Sequence, residues 1–170
     1  MTRLRTAELV HLGGGSFQTL TGTGREVVFG DRIEAGELSP VESLVAALAA
    51  CSAMDVVPIL AKMRQEIATY RISISAEQRD EYPQILTSVD VLHDVEGPSL
   101  TEAAVRRAVE LSARKYCPVS ATVAAGDTVV THRYRMRCTG PLPAAGEGVA
   151  AVTGPNQPQT IVDKVPLTAV

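Results

Sequence analysis

The chain has 170 residues, of which 45% are hydrophobic and 21% are charged. These proportions are typical of a globular protein, and the length suits a single domain, so a disordered, collagen-like or coiled-coil chain is excluded. The net charge is −3 and only 4% of the residues are aromatic. We therefore expect neither nucleic acid nor an anionic membrane surface as a partner.

The N-terminal segment alternates β-prone stretches with glycine turns. Strands are predicted over residues 4–11, 17–20 and 25–29, separated by glycine clusters at 13–15 and 22–24. Neither cluster has the spacing of a phosphate-binding loop, and no helix follows either of them directly. The segment is therefore predicted to form a β-meander.

A long helix is predicted to begin at Ser39-Pro40-Val41-Glu42. Ser39 can cap the helix, Pro40 suits its first position, and Glu42 completes a capping box. Residues 44–54 present no polar face, so we expect a central helix that is covered on all sides. The uncharged stretch of residues 43–54 is shorter than the ~20 residues of a membrane span, and no signal peptide is recognisable, so we expect a cytoplasmic protein without a membrane partner.

The rest of the chain mixes strands and helices. Alternating patterns predict strands over 71–79, 84–95 and 128–137, and a second capping box at 98–102 predicts a helix that ends before Cys117-Pro118. A short helix is predicted over 120–125. Residues 139–170 are rich in proline and glycine, so we divide the chain into a domain of residues 1–138 and a C-terminal extension of residues 139–170 that packs on the domain or on a partner subunit.

The three cysteines are Cys51, Cys117 and Cys138. Their number is odd and no CxxC pair occurs, so neither a metal site nor a disulfide scaffold is predicted, and the thiols are expected to be reduced at rest. Taken alone, each cysteine could be a small buried hydrophobic residue.

The residues that flank two of these cysteines resemble a known family. The helix segment of residues 39–54, around Cys51, and Lys115-Tyr116-Cys117-Pro118-Val119-Ser120 resemble the cysteine motifs of the osmotically inducible protein C and organic hydroperoxide resistance proteins (the OsmC/Ohr family). The order of the predicted elements agrees over residues 3–138. The resemblance implies an α+β, two-layer fold with antiparallel sheets and a long buried central helix, in an intertwined homodimer.

The resemblance also implies thiol-dependent reduction of organic hydroperoxides in oxidative-stress defence. Cys51 would attack the peroxide as a thiolate and become a sulfenic acid, and Cys117 would resolve it as a disulfide. An external dithiol would then reduce the disulfide. Neither a cofactor nor a metal is implied.

The peroxidase branch of the family activates its helix cysteine with a hairpin arginine and a glutamate in the first helical turn. In this chain the glutamate position holds Val41 and the neighbouring acid is Glu42, while the glycine-rich hairpin contains no basic residue. We predict that Arg25, oriented by Glu42, activates Cys51, with Arg32 as the next candidate. A capping role alone is the alternative for Glu42.

Two other functions stay open at this point. One is a non-catalytic dimeric binding protein that has lost the activating arginine and glutamate, and the other is a thiol redox sensor based on Cys51. The histidines His11, His93 and His132 lie on predicted strands and are expected to be structural or surface groups, because no catalytic motif surrounds them. Cys138 is expected to serve packing.

Overall fold

The computed structural model describes residues 2–155, except for the side chain of Ile33. The prediction for the C-terminal extension therefore lies outside the described residues beyond position 155. The chain divides into two compact units, with the boundary between Leu44 and Val45.

The first unit contains the predicted meander. Its strands are β1 (Ala7–Gly13), β2 (Ser16–Thr21) and β3 (Glu26–Phe29), which pair antiparallel in the order β1-β2-β3. The glycines of the first turn, Gly13 and Gly14, have positive φ angles, which glycine adopts without steric strain.

A buried carboxylate organises the segment after β3. Glu37 is only 6% exposed, and it accepts hydrogen bonds from the Ser16 hydroxyl at 2.8 Å and from the Arg32 backbone N–H at 3.1 Å. The guanidinium of Arg32 also donates to this carboxylate, through Nε at 2.9 Å and through Nη2. Its hydrogen bonds lower the pKa of Glu37, and the same pairing raises the pKa of Arg32.

Helix α1 (Pro40–Lys62) begins where the capping box predicts and continues through Pro58. The Ser39 backbone N–H donates to Glu42 Oε2 at 3.3 Å, which is the glutamate half of the box. One face of the helix is buried at four-residue spacing, with Leu48, Ser52, Val56 and Leu60. The opposite face is exposed, so the predicted burial on all sides is not seen in the single chain.

By length and composition alone, α1 could also cross a membrane. The helix has 23 residues and is strongly apolar, and 28% of its most apolar 18-residue stretch is buried. The sequence expectation counted only the stretch up to residue 54, whereas the apolar helix continues beyond Asp55. The core helix of a soluble protein satisfies the same criterion, so this feature is weak evidence for a membrane span.

The second unit is a four-stranded sheet covered by helices. Its strands are β4 (Thr69–Gln78), β5 (Leu86–Gly97), β6 (Val129–Cys138) and β7 (Ala144–Thr153), in the order β4-β5-β6-β7. The α+β class is confirmed. The expectation of purely antiparallel sheets is wrong for one pair, because β5 and β6 run parallel. Parallel neighbours need a crossover connection, and the helices between β5 and β6 supply it.

That crossover consists of α2 (Glu102–Leu111), a π-helical turn (Ser112–Tyr116) and α3 (Pro118–Val123). The N-cap of α2 is Thr101, whose hydroxyl accepts from Ala104 N at 3.4 Å, so the predicted capping box on Ser99 is wrong. Ser99 is used elsewhere, because its hydroxyl accepts a hydrogen bond from Glu66 N at 3.0 Å.

The two faces of β6 differ in burial and charge. Alternate residues of the strand are buried, and Tyr134, Met136 and Cys138 join the hydrophobic core formed with α1, α2 and β5. The three outward arginines pair with acids of the neighbouring strand: Arg133 with Asp90, Arg135 with Asp94 and Arg137 with Glu96. The sheet gains an unpredicted strand in β7, which lies within the proposed extension and pairs antiparallel with β6.

Candidate active site around Cys51 and Cys117

The structure brings Cys51 and Cys117 together. Cys51 lies in the middle of α1, and Cys117 lies at the start of α3, on the crossover. Their sulfur atoms and a carboxylate oxygen of Asp55 all lie within 4.8 Å of one another. Asp55 was not predicted as a site residue. Its position one helical turn after Cys51 is the sequence signal that could have found it, because residues four apart share a helix face.

The two thiols differ in burial and in their hydrogen bonds. Cys117 is 2% exposed, whereas Cys51 is half-buried. Cys117 also caps α3, where its sulfur accepts a hydrogen bond from Ser120 N at 3.3 Å. Burial and the contact with the Cys51 thiol raise the pKa of Cys117 to about 12. Cys117 therefore stays protonated at neutral pH, and its S–H can donate to the Cys51 sulfur.

The π-helical turn determines where Cys117 lies. It follows α2 directly, and the Cys117 backbone N–H donates to Ser112 O at 2.9 Å, which closes the widened turn. Pro118 then opens α3 at a position where its missing N–H costs no helical hydrogen bond. π-helical turns often occur at functional sites, and this one ends directly at the second thiol.

Buried serines hold Asp55 beside the thiols. The Ser112 hydroxyl donates to Asp55 Oδ2 at 3.2 Å and lies 3.2 Å from the Ser52 hydroxyl. Both serines are fully buried and Asp55 is half-buried. Burial raises the pKa of Asp55, and the hydrogen bond from Ser112 partly opposes that rise. A carboxyl group with a raised pKa can take up and release a proton more readily near neutral pH than an exposed aspartate.

A chain of buried polar groups begins next to Cys117. Ser120 Oγ lies 3.1 Å from His132 Nε2, His132 Nδ1 lies 3.4 Å from His93 Nε2, and His93 Nδ1 lies 2.6 Å from the Tyr70 hydroxyl. Both histidines are fully buried. Burial lowers the pKa of His93 to about 3 and that of His132 to about 4, so both rings are neutral near pH 7.

Three of the remaining predicted residues belong to the first unit. Arg25 is exposed in the turn before β3, where its backbone N–H donates to Thr21 Oγ1 at 3.0 Å. Arg32 is bound to Glu37, and Glu42 is exposed in the first turn of α1. Cys138, in the second unit, is buried at the end of β6, in keeping with a packing role.

Comparison with known proteins identifies the family. The family model described as OsmC-like protein matches residues 33–133 of the chain. The chain belongs to the OsmC-like family. The matched residues include both cysteines of the site and Asp55.

Individual relatives agree with this assignment. Protein YhfA of Escherichia coli K12 is 40% identical over 98 residues, which cover 58% of this chain and 72% of YhfA. A hypothetical protein of Aquifex aeolicus is 28% identical, with a TM-score of 0.68 over 79% of this chain and 98% of that one. An organic hydroperoxide resistance protein of Legionella pneumophila is 15% identical, with a TM-score of 0.60 over 78% and 96%, which shows a shared fold.

Proposed function

We propose that this OsmC-like protein reduces organic hydroperoxides with Cys51 and Cys117, using an external dithiol as the reductant. Family membership supports a general role in redox chemistry and peroxide defence. The observation that carries the finer proposal is the distance of at most 4.8 Å between the two sulfur atoms. We place this activity in the cytoplasm, as part of the same proposal.

The difference between the thiols supports separate roles. Cys51 is the more exposed, so an incoming peroxide reaches it first, whereas buried Cys117 is kept protonated by its raised pKa. The Cys51 thiolate attacks the peroxide, an S–O bond forms, the O–O bond breaks, and the alkoxide leaves as an alcohol after taking up a proton. Cys117 then attacks the sulfenic acid, which forms a disulfide and releases water.

Asp55 is our candidate for the proton carrier in this sequence. Its carboxylate lies next to both sulfurs, and burial raises its pKa above the usual value of an aspartate, so it is a stronger proton acceptor than an exposed aspartate. It accepts the proton of the Cys51 thiol and returns that proton to the alkoxide, which balances the first step.

Arg25 and Glu42 stay part of the proposal as the activating pair. A guanidinium within about 4–6 Å of a thiolate stabilises its charge. We expect Arg25→Ala to slow peroxide consumption at least tenfold, and Glu42→Gln to slow it while keeping the cap oxygen. Arg71→Ala, which removes an exposed arginine on β4, is the matched control. An unchanged rate of peroxide consumption in Arg25→Ala would reject Arg25 as the activating residue. Arg32 would then be the next candidate.

The experiment for the central proposal follows the consumption of cumene hydroperoxide in the presence of a dithiol. Cys51→Ser should abolish consumption. In a parallel measurement without dithiol, Cys117→Ser should consume about one equivalent and stop at the sulfenic acid, which a dimedone probe detects by mass spectrometry. Cys138→Ser is the control and should behave like the wild type. Full turnover by Cys51→Ser would reject the mechanism.

We also propose that the chain acts as a homodimer in which the exposed face of α1 is covered. Met54 is 75% exposed on this face, and Leu44 and Val57 are further exposed apolar residues of the helix. Large apolar side chains exposed on a helix are typical of a subunit interface. Met54→Glu should produce monomers in light scattering, whereas Leu142→Glu, at an apolar position that is 86% exposed, should leave the dimer intact. A monomeric wild type would reject this assembly.

A further inference from the structure

We propose that the reduced protein binds one Zn²⁺ ion through Cys51, Asp55 and Cys117. The three side chains offer two sulfurs and one carboxylate oxygen, all within 4.8 Å of one another. In tetrahedral zinc sites the Zn–S bond is about 2.3 Å and the Zn–O bond about 2.0–2.2 Å, so neighbouring ligand atoms are about 3.5–3.8 Å apart. Movements of about 1 Å or less therefore bring these three atoms to ligand positions.

The chemistry of the donors favours zinc over harder ions. Thiolates are soft ligands that select Zn²⁺, whereas Mg²⁺ and Ca²⁺ require oxygen atoms. Two thiolates and one carboxylate carry three negative charges, so a divalent cation removes most of the repulsion between them. Three protein ligands leave the fourth position of the tetrahedron open to water or to an added ligand.

Hydrogen bonds from neighbouring residues hold two of the three ligands in place. Ser112 donates to Asp55 Oδ2, which leaves the second oxygen of that carboxylate available. Ser120 N donates to the Cys117 sulfur, a hydrogen bond that a thiolate accepts more strongly than a thiol. Hydrogen bonds of this kind fix the orientation of metal ligands. Asp55 and Cys51 are half-buried, so an ion can reach them from solvent.

Zinc binding competes with peroxide chemistry at the same sulfurs. Each thiol loses its proton as its bond to zinc forms, so binding releases two protons. Oxidation of Cys51 and Cys117 to a disulfide removes two of the three ligands and releases the ion. Zinc occupancy therefore depends on the redox state of the two thiols. Zinc binds when both thiols are reduced and leaves when they form the disulfide.

The test measures metal directly, apart from peroxide turnover. Protein reduced with a phosphine is titrated with Co²⁺, whose bonds to thiolates give a charge-transfer absorption in the near ultraviolet, and Zn²⁺ is then added to displace it. After desalting, zinc per chain is measured by mass spectrometry. We expect one ion per chain in the reduced protein and none in the disulfide form.

Variants assign the ligands. Cys51→Ser and Cys117→Ser should abolish the cobalt band, and Asp55→Asn should weaken zinc binding at least tenfold. Cys138→Ser and Asp127→Asn, which change residues outside the cluster, are matched controls and should bind like the wild type. Absence of bound metal in the reduced wild type would overturn the proposal, as would equal binding by Cys51→Ser. Peroxide consumption by metal-free protein in chelator tests the proposed activity separately, so one proposal can fail without the other.

Discussion

The buried histidine pair should make the protein sensitive to mild acid. His93 and His132 have folded-state pKa values of about 3 and about 4, against 6.5 for an unperturbed histidine. The unfolded chain therefore binds more protons than the folded chain below pH 6.5, and the free energy of unfolding falls as the pH falls from that point toward the folded values. At pH 5 each histidine contributes a loss of about 2 kcal/mol, or about 4 kcal/mol for the pair.

Urea unfolding at pH 8 and at pH 5 measures this loss. Since a single domain is stable by about 5–15 kcal/mol, a loss of about 4 kcal/mol moves the urea midpoint substantially. His93→Gln removes one titrating ring, so the difference between the two pH values should shrink by about 2 kcal/mol. His132→Gln should have the same effect. His11→Gln is the matched control, because the His11 side chain is exposed on β1.

The comparison of two pH values within each variant removes the packing cost of the substitution itself. Titrating groups other than the two rings contribute equally to the pH dependence of the wild type and of the histidine variants. An identical pH dependence in the wild type and in both buried-histidine variants would show that burial holds neither ring neutral, which would contradict the prediction.

Two further predictions concern the site and the sheet. Ser112→Ala removes the hydrogen bond that lowers the pKa of Asp55, so the pKa of that carboxyl should rise, as followed by carboxyl-carbon NMR; an unchanged titration curve would contradict the assigned contact. Gly97→Ala should destabilise the fold by about 1–3 kcal/mol in urea, because the added Cβ collides with the backbone carbonyl of Glu66. Gly126→Ala is its control, since nothing lies within 4 Å of a Cβ there, and equal stabilities would refute the collision.

Local sequence signals predicted most of the elements, because each signal acts over a few residues. The capping residues Ser39 and Glu42 located the start of α1, and the alternating pattern of residues 128–137 located strand β6. The motifs around Cys51 and Cys117 indicated the family, which the family match over residues 33–133 confirms.

The features that the sequence did not reveal depend on tertiary contacts or on weak local propensity. The first five residues of strand β7, Ala-Ala-Gly-Glu-Gly, include none of the β-branched or aromatic residues that indicate a strand. It forms because β6 offers it a free edge. The parallel pairing of β5 with β6 was likewise hidden, since strand direction depends on how the crossover packs. Ser112 and Ser120 could be assigned to the site only once the crossover had brought them to Asp55 and Cys117.

The crossover between the parallel strands β5 and β6 carries two residues of the proposed site. A connection between parallel strands must travel back along the sheet, and in this chain it does so through α2, the π-helical turn and α3. The turn ends at Cys117 and contains Ser112, so one local distortion supplies the second thiol and the donor to Asp55. Helix α1 supplies Cys51 and Asp55 from a single face. The proposed site of Cys51, Asp55 and Cys117 therefore depends on how this face of α1 lies against the π-helical turn.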